Sequence, residues 1–358
     1  MILTNEMVNV ALKYRAAKLW DKLDDSMIFA VRLPDGDTGY CCIMGNGGEH
    51  YALGFYRGDR GFATYLKTLS MADTYDQKMM LEIMCTYHCI NCDFVNASDK
   101  ELSKETVSKI RQIAANNSMK IQRSKGLPSF IKMDGPTTFF GLPEGNDAID
   151  ITTALSAAVA VAEKVKKADD KELSSLGFDP KREYCNDKGG KKIPLLTPGV
   201  DGSYEWGLTQ SPSLQKDVFP EVTFNNIFIS AKVKGIRHDG VIECRVIHYP
   251  YPIGNKSQIW YPSMIMLIDQ ATEQAIPVAL SRETTDENES NALLLDSLGK
   301  TLMGIETCPE EIMVEDDRTE NLIADFCRKT EIKLTRKKSL PLLNESWDFI
   351  FSMTQRIG

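Results

Sequence analysis

The chain has 358 residues, of which 42% are apolar and 26% are charged. These proportions match an average globular protein, so they exclude a mainly disordered chain, and the length predicts two domains. The 50 acidic and 42 basic side chains give a formal net charge of −8, which gives no support to non-specific binding of a polyanion such as nucleic acid.

Targeting signals are not evident in the opening segment. Charged residues at Glu6, Lys13, Arg15 and Lys18 interrupt the stretch from Met1 to Trp20, and no run of about 18 apolar residues occurs elsewhere. Nine cysteines are scattered along the chain, an odd number that favours reduced thiols over a disulfide framework. We therefore expect a cytosolic protein with no membrane partner.

Residues 1–167 predict an α+β N-terminal domain. An apolar period close to 3.6 over residues 5–23 predicts an opening helix. Short apolar runs at 28–33, 39–44 and 51–56, separated by turn-forming residues, then predict an antiparallel meander. Further elements follow along the chain: a helix at 61–69, a strand at 85–95, and helices at 103–115 and 148–166.

Periodicity fades over residues 168–220, where Asp, Lys, Gly, Pro and Ser dominate. Such composition is typical of loops, so this stretch is predicted to be an irregular connector.

Residues 221–358 predict a second, α/β domain with a mixed sheet. Strands at 223–233 and 241–249 are expected to form a hairpin around Asp239-Gly240. From Tyr261 to Phe351 the pattern is two strands, a helix, a strand, a helix, a short strand and a last helix. Acidic pairs spaced by three residues predict the starts of two of these helices: Asp286 with Glu289, and Asp317 with Glu320.

A cysteine motif, Cys85-x3-Cys89-x2-Cys92, has the spacing by which some enzymes hold an iron–sulfur cluster. On the strand predicted at this position, Cys85 and Cys89 would face one side and Cys92 the other, so the thiolates would not converge. We expect buried thiols here rather than a cluster or a zinc site, and we expect no cofactor.

Other catalytic motifs are missing from the sequence. The segment Gly45-Asn46-Gly47-Gly48 resembles a phosphate loop, but His50 stands where a third glycine is needed, so a hairpin turn is expected. The four histidines, which are too dispersed to predict a catalytic dyad, are His50, His88, His238 and His248. No G-x-S-x-G, Walker or HExxH pattern occurs.

One dense basic segment offers a weak nucleic-acid surface at the end of a predicted helix and the following strand. Its members are Arg328, Lys329, Lys333, Arg336, Lys337 and Lys338. Basic residues are also common at helix C-termini, where they complement the helix dipole, so both interpretations stay open.

The sequence resembles a family of uncharacterised bacterial two-domain proteins. In the first half the resemblance is carried by Phe29-Ala30-Val31, Gly39-Tyr40, Met44-Gly45-Asn46, Gly48-Glu49 and Tyr51-Ala52-Leu53. In the second half it is carried by Tyr249-Pro250, Tyr261-Pro262, Leu267 to Asp269, Pro309, Ile312 to Val314, Ile332 and Leu340-Pro341. The resemblance implies no particular chemistry.

The second half is also remotely similar to the RNase H-like cores of transposases and integrases. That resemblance implies a divalent-metal site built from carboxylates on the first strand, after the fourth strand and on the last helix. The available candidates are Asp269, Asp316 and Glu345, whereas Arg245 stands in the middle of the first strand, where a cation would repel metal ions.

These observations predict a non-catalytic binding or interaction protein of the bacterial cytosol. The alternative is a metal-dependent nuclease or strand-transfer relative that uses Asp269, Asp316 and Glu345. Convergence of the three carboxylates within about 4–6 Å would favour this alternative, whereas outward-pointing acids would argue against it.

Overall fold

The computed structural model describes residues 5–70, 77–99, 102–140, 143–181, 183–214, 217–284 and 286–354. The chain divides into two compact units. One comprises Met1–Gln215 with Asn255–Gln258, and the other comprises Lys216–Gly254 with Ile259–Gly358.

The first unit is built on a large mixed sheet. Its helices are α1 (Asn5–Ala17), α2 (Gly58–Ser70), α3 (Gln77–Thr86), α4 (Lys104–Asn116), α5 (Gly145–Val165) and α6 (Asp170–Ser175). Its strands are β1 (Phe29–Arg32), β2 (Thr38–Met44), β3 (Ala52–Arg57), β4 (His88–Val95), β5 (Leu127–Asp134), β6 (Thr137–Phe140), β7 (Lys192–Pro198) and β8 (Tyr204–Gln210). The strand order is β6-β5-β4-β3-β2-β1-β7-β8.

Each successive pair of strands from β1 to β6 is antiparallel, so the predicted meander is confirmed and extends further than expected. Both faces of this sheet are buried at β1. Phe29 and Val31 of β1 join the core formed with α1, α4 and α5, while Ala30 between them joins the core formed with α2. Alternation of side chains along a strand produces this division.

The stretch expected to be an irregular connector contains α6, β7 and β8. Strand β7 pairs in parallel with β1, and its Ile193 and Leu196 are buried. Pro194 and Pro198 weaken the local strand signal, because proline cannot donate to a ladder. The parallel partner lies far away in sequence, so a local reading does not detect it.

The second unit has a smaller mixed sheet. Its helices are α7 (Ile227–Lys234), α8 (Glu287–Met303), α9 (Asp317–Thr330) and α10 (Pro341–Thr354). Its strands are β9 (Val241–His248), β12 (Ser263–Asp269), β13 (Ala275–Ile276), β14 (Glu311–Val314) and β15 (Lys333–Arg336), and a short antiparallel hairpin joins β10 (Ile253–Gly254) to β11 (Gln258–Trp260). The predicted element order from Tyr261 to Phe351 is confirmed.

The sheet order is β13-β12-β9-β14-β15. The central strand β9 runs antiparallel to β12 and parallel to β14. Its Ile242, Cys244 and Val246 join the buried core with α7, α8 and α9. Its alternate residues, Glu243 and Arg245, lie on the opposite face, where their side chains bond to residues of α10.

The strand predicted at 223–233 is wrong, because residues 227–234 form α7. The Asn226 side chain caps this helix by accepting a hydrogen bond from the backbone N–H of Ile229, at 3.1 Å. Ile229 and Val233, four residues apart, are buried on its inner side. Helical packing therefore overrides the β-propensity of an isoleucine- and valine-rich segment.

Two smaller predictions also need correction. Cys85 lies on α3 and not on the strand predicted at 85–95, which begins only at His88. Helix α9 is capped by Asp316, one residue before the predicted Asp317. The cap at Asp286 is confirmed, since its side chain accepts from the backbone N–H groups of Asn288 and Glu289.

Within the described residues, no helix combines the length and the apolar character that crossing a membrane requires.

Candidate functional site

The first unit contains an open cleft of about 230 Å³. Residues of β3, β4 and β5 line it, together with the first residues of α2 and the first turns of α5. Its charged lining residues are Arg57, Arg60, His88, Lys132, Asp134, Asp147 and Asp150. The apolar side chains of Phe55 and Ile90 share the face of the sheet that carries His88, Lys132 and Asp134, and they contribute to the lining.

Strand register brings these side chains together. Ile90 of β4 lies directly opposite Phe55 of β3 and Lys132 of β5. Two residues further along β4, His88 lies opposite Asp134. Because side chains alternate along a strand, these residues share one face of the sheet.

His88 and Asp134 form a hydrogen-bonded pair. The Nδ1 atom of His88 lies 2.8 Å from Oδ1 of Asp134, and this bond holds the pKa of that carboxyl below its usual range. The bond fixes the orientation of the imidazole ring. Within the described residues, the other ring nitrogen, Nε2, has no hydrogen-bond partner.

Lys132 bridges two acidic side chains of the cleft. Its Nζ atom lies 2.7 Å from Oδ2 of Asp147 and 3.9 Å from Oδ2 of Asp134. The ammonium group thereby links the end of β5 to the first turn of α5.

Arg57 is held by three carboxylates. Its guanidinium pairs with Asp35 and Asp150, and its Nε lies 3.4 Å from Oδ2 of Asp37. Burial raises the pKa of Asp150, and the Arg57 guanidinium acts against that rise. The arginine is thus committed to holding the loop after β1 and the helix α5 together.

Arg60, in the first turns of α2, differs from the other basic residues of the cleft. Its side chain is exposed, and no ion pair to it occurs in the part of the chain that the structure describes. The field of its guanidinium contributes to the lowered pKa of Asp134. It is therefore a cation available to a ligand.

The two candidate carboxylates at strand ends lie at opposite ends of the second sheet. Asp269 pairs with Ile242, near the start of β9. Asp316 follows β14, which runs parallel to β9, so it lies beyond the level of Cys244. Continuing that register places Asp316 level with Val246, four positions along β9 from Ile242. At about 3.3 Å per residue, the two backbone positions are therefore offset by roughly 13 Å along the strand direction.

Each of the three candidates has a local structural role or faces solvent. Asp269 Oδ1 accepts from the backbone N–H groups of Ala271 and Thr272 in the turn after β12. Asp316 caps α9 through Thr319. Glu345 is exposed on α10. The structure does not bring these acids together.

Glu243 on the first strand was missed by sequence reasoning. Its side chain is almost completely buried, at 1% exposure. One oxygen accepts from the backbone N–H of Leu343 at 2.8 Å, and the other from Nε2 of Gln270 at 3.2 Å. Both oxygens are engaged by the protein itself.

Arg245 lies two residues further along the same face of β9. Its guanidinium pairs with Glu315 and donates to Oδ1 of Asn344 at 2.7 Å. Glu315 also accepts from the backbone N–H of Leu340, at 2.8 Å. Arg245 and Glu315 thus hold the start of α10 to the sheet.

Across the described residues, no group of three His, Cys, Asp or Glu side chains is arranged to hold a metal ion. All nine cysteines are free and buried, including the three of the Cys85-x3-Cys89-x2-Cys92 motif, for which burial was expected. In the Cys85-x3-Cys89-x2-Cys92 motif, Cys89 and Cys92 fall on opposite faces of β4.

Most of the basic segment at 328–338 is paired with acids of the same unit. Arg328 pairs with Glu221 and Asp325, and Lys329 also pairs with Asp325. The remaining pairs are Lys333 with Glu311, and Arg336 with Asp317 and Glu320. Lys337 and Lys338 are not in these pairs. Internal pairing reduces the positive charge that this surface offers to a phosphate backbone.

Comparison with known proteins identifies two family regions. Residues 5–177 match a family described as Domain of unknown function (DUF7309), and residues 230–351 match another described as Domain of unknown function (DUF6930). No curated protein and no solved structure matches the chain significantly. Two separate regions of the chain are therefore similar to two different families of unknown function.

Proposed function

We propose that this protein is a non-catalytic binding protein that takes up a small molecule in the cleft of its first unit. The main observation in support is that one open cleft contains a His–Asp pair, a Lys–Asp pair and an arginine without an internal ion pair among the described residues, all beside apolar side chains. Concave sites with an apolar lining and a few fixed polar groups are typical of ligand binding.

The size of the cleft limits the ligand. Its volume of about 230 Å³ lies below the range of roughly 300–1,000 Å³ that is usual for drug-sized ligands. A small metabolite fits this volume, and a polymer would contact only its exposed rim.

The polar groups are positioned before any ligand arrives. His88 is oriented by Asp134, and Lys132 by Asp147. Fixed side chains lose little conformational entropy on binding, which favours affinity.

The lining supports binding rather than covalent chemistry. Among the described lining residues, the one with a nucleophilic thiol or hydroxyl group is Cys89. Burial raises the pKa of its thiol, and a buried thiol in its protonated form is a poor nucleophile.

For the second unit we propose an RNase H-like scaffold without nuclease activity. The central β9, with an antiparallel neighbour on one side and a parallel one on the other, supports this fold. The separation of Asp269 from Asp316, and the engagement of Glu243 by Leu343, support the lack of metal-dependent cleavage. The bacterial cytosol remains part of this proposal, and nine free cysteines are consistent with a reducing compartment.

The test uses the full chain and two matched tryptophan variants. Asp147→Trp fills the cleft, whereas Asn146→Trp places the same side chain on the neighbouring exposed residue, which does not line it. Thermal unfolding is measured with a library of small metabolites. A ligand at about 100 times its Kd adds about 2.7 kcal/mol to the free energy of unfolding.

We expect at least one metabolite to raise the Tm of the wild type and of Asn146→Trp but not that of Asp147→Trp. A library without any such compound, or equal stabilisation of both variants, would refute a binding role for the cleft. Cleavage of DNA or RNA with Mg²⁺ or Mn²⁺ that is abolished by Asp316→Asn would instead establish the nuclease alternative.

A further inference from the structure

The acidic side chains that line the cleft have basic partners within the protein, whereas Arg60 has no acidic partner among the described residues. Asp134 is paired with His88, Asp147 with Lys132, and Asp150 with Arg57. Each of these carboxylates in the lining therefore has a basic partner within the protein. A cationic ligand would have to compete with those partners for the same oxygens.

An anionic ligand would meet no comparable competition at Arg60. The described residues place no carboxylate within ion-pair distance of its guanidinium, although it lines the cleft. A guanidinium presents a planar fork of N–H donors that matches the two oxygens of a carboxylate or phosphate. An oxyanion is therefore the ligand group that best matches the guanidinium of Arg60.

His88 supplies a second polar contact near the same ligand. Its Nδ1 is taken by Asp134, which leaves Nε2 available among the described residues. The imidazolium form donates from Nε2 to an oxyanion, and the neutral ring accepts from a ligand hydroxyl or N–H group.

The rest of the lining indicates the body of the ligand. Phe55 and Ile90 lie opposite each other on neighbouring strands, and both line the cleft. Apolar side chains favour an apolar ligand body, since contact removes both surfaces from water.

We infer that the cleft binds a small amphiphilic anion, whose carboxylate or phosphate group is held by Arg60 and whose apolar body contacts Phe55 and Ile90. This inference rests on the proposed binding function and names its ligand class. His88 is a second contact to the polar end of the ligand.

Four aromatic probes of similar size test the charge requirement by calorimetric titration of the full-length protein. Benzoate and phenyl phosphate carry the oxyanion, benzamide is a neutral counterpart, and benzylamine is cationic. We expect at least one anion to bind about tenfold more tightly than both other probes, as a charge-assisted hydrogen bond provides. The ratio of benzoate to phenyl phosphate affinity decides which oxyanion is preferred.

Three variants test whether the guanidinium of Arg60 holds the anion. Arg60→Ala should weaken binding of the preferred anion about tenfold. Arg60→Lys should weaken it less, because the charge remains while the fork is lost. Arg111→Ala, which removes an exposed arginine of α4, should have no effect. Circular dichroism and Tm measurements establish that each variant is folded.

The outcomes separate the inference from the proposed function. Preference for benzylamine, equal binding of benzamide, no measurable binding of either anion, or unchanged anion affinity in Arg60→Ala would overturn the oxyanion inference. The broader binding function would survive those results if any metabolite stabilises the wild type but not Asp147→Trp. Anion binding that persists in Asp147→Trp would show that neither the anion site nor the proposed ligand-binding site lies in this cleft.

Discussion

The carboxylate of Glu243 and the backbone N–H of Leu343 are joined by a 2.8 Å hydrogen bond. The bond connects the central strand of the second sheet to the first turn of α10. A negative side chain is favourable at this end of a helix, because the helix dipole places partial positive charge there. An acid on the first strand thus stabilises the docking of the last helix.

Replacing Glu243 with alanine should destabilise the second unit. The change leaves a buried backbone N–H group without its acceptor and removes a charge-assisted bond, so we expect a loss of about 1–3 kcal/mol in the free energy of unfolding. Urea unfolding followed by circular dichroism measures it. The control Glu345→Ala, at an exposed position on α10, should change stability by less than about 0.5 kcal/mol. Equal losses in both variants would contradict this role.

Asp316 should behave as a helix cap. Its carboxylate accepts from the backbone N–H and the hydroxyl group of Thr319, whose oxygen accepts in turn from the backbone N–H of Val246. We expect Asp316→Ala to cost about 0.5–2 kcal/mol and Asp316→Ser, which retains a capping oxygen, to cost less.

The same variants separate capping from metal binding. Mn²⁺ should leave the Tm difference between the wild type and Asp316→Ser unchanged, because the proposed role of the side chain needs no cation. Selective stabilisation of the wild type by Mn²⁺ would show that Asp316 binds the ion.

His248 should make stability depend on pH. Burial, together with the neighbouring Arg318, lowers its pKa from 6.5 to about 3. Between these values the unfolded chain takes up a proton that the folded protein does not, so stability falls as pH decreases through this window. The slope contributed by His248 is at most about 1.4 kcal/mol per pH unit.

Unfolding of His248→Gln between pH 7 and pH 4, compared with the wild type, tests this dependence. The variant should lose stability less steeply on acidification. Identical slopes for wild type and His248→Gln would refute the assignment.

The cysteines should be unreactive in the folded protein. All nine are buried, and burial raises the pKa of Cys308 to about 11 and that of Cys327 to about 12. A thiol-specific reagent such as DTNB should label them slowly at pH 8 and rapidly in guanidinium chloride, because both access and thiolate fraction rise on unfolding. Rapid labelling of the native protein would indicate that these residues are exposed in solution.

The sequence was most informative where local signals agreed. Short apolar runs at 39–44 and 51–56, with the glycine-rich turn between them, predict β2 and β3, which the structure contains. The acidic cap at Asp286 likewise marked the start of α8. Turns and caps are short-range features, so they are readable without knowledge of the fold.

Long-range pairing was not readable. His88 and Asp134 are 46 residues apart and meet only because β4 and β5 pair in one particular register. Histidines dispersed in sequence therefore gave no indication of the pair. The same limit applies to β7, which lies beside β1 in the sheet but far from it in the sequence.

Face assignment was the remaining difficulty. Glu243 and Arg245 lie on the same face of β9, yet the resemblance to RNase H-like cores points only to the position of Arg245. The burial of Glu243 cannot be predicted from its neighbours in the sequence, because its hydrogen-bond donor, the backbone N–H of Leu343, lies 100 residues later in the chain.

That separation also has a consequence for biosynthesis. Translation at roughly 5–20 residues per second leaves an interval of about 5–20 s between the appearance of Glu243 and that of Leu343. During this time the nascent sheet face carries an ionisable group without its permanent partner. Ribosome-bound chains that include Glu243 but end before Leu343 should therefore expose the face of the second sheet that α10 later covers. A chaperone would encounter this exposed face before α10 is synthesised.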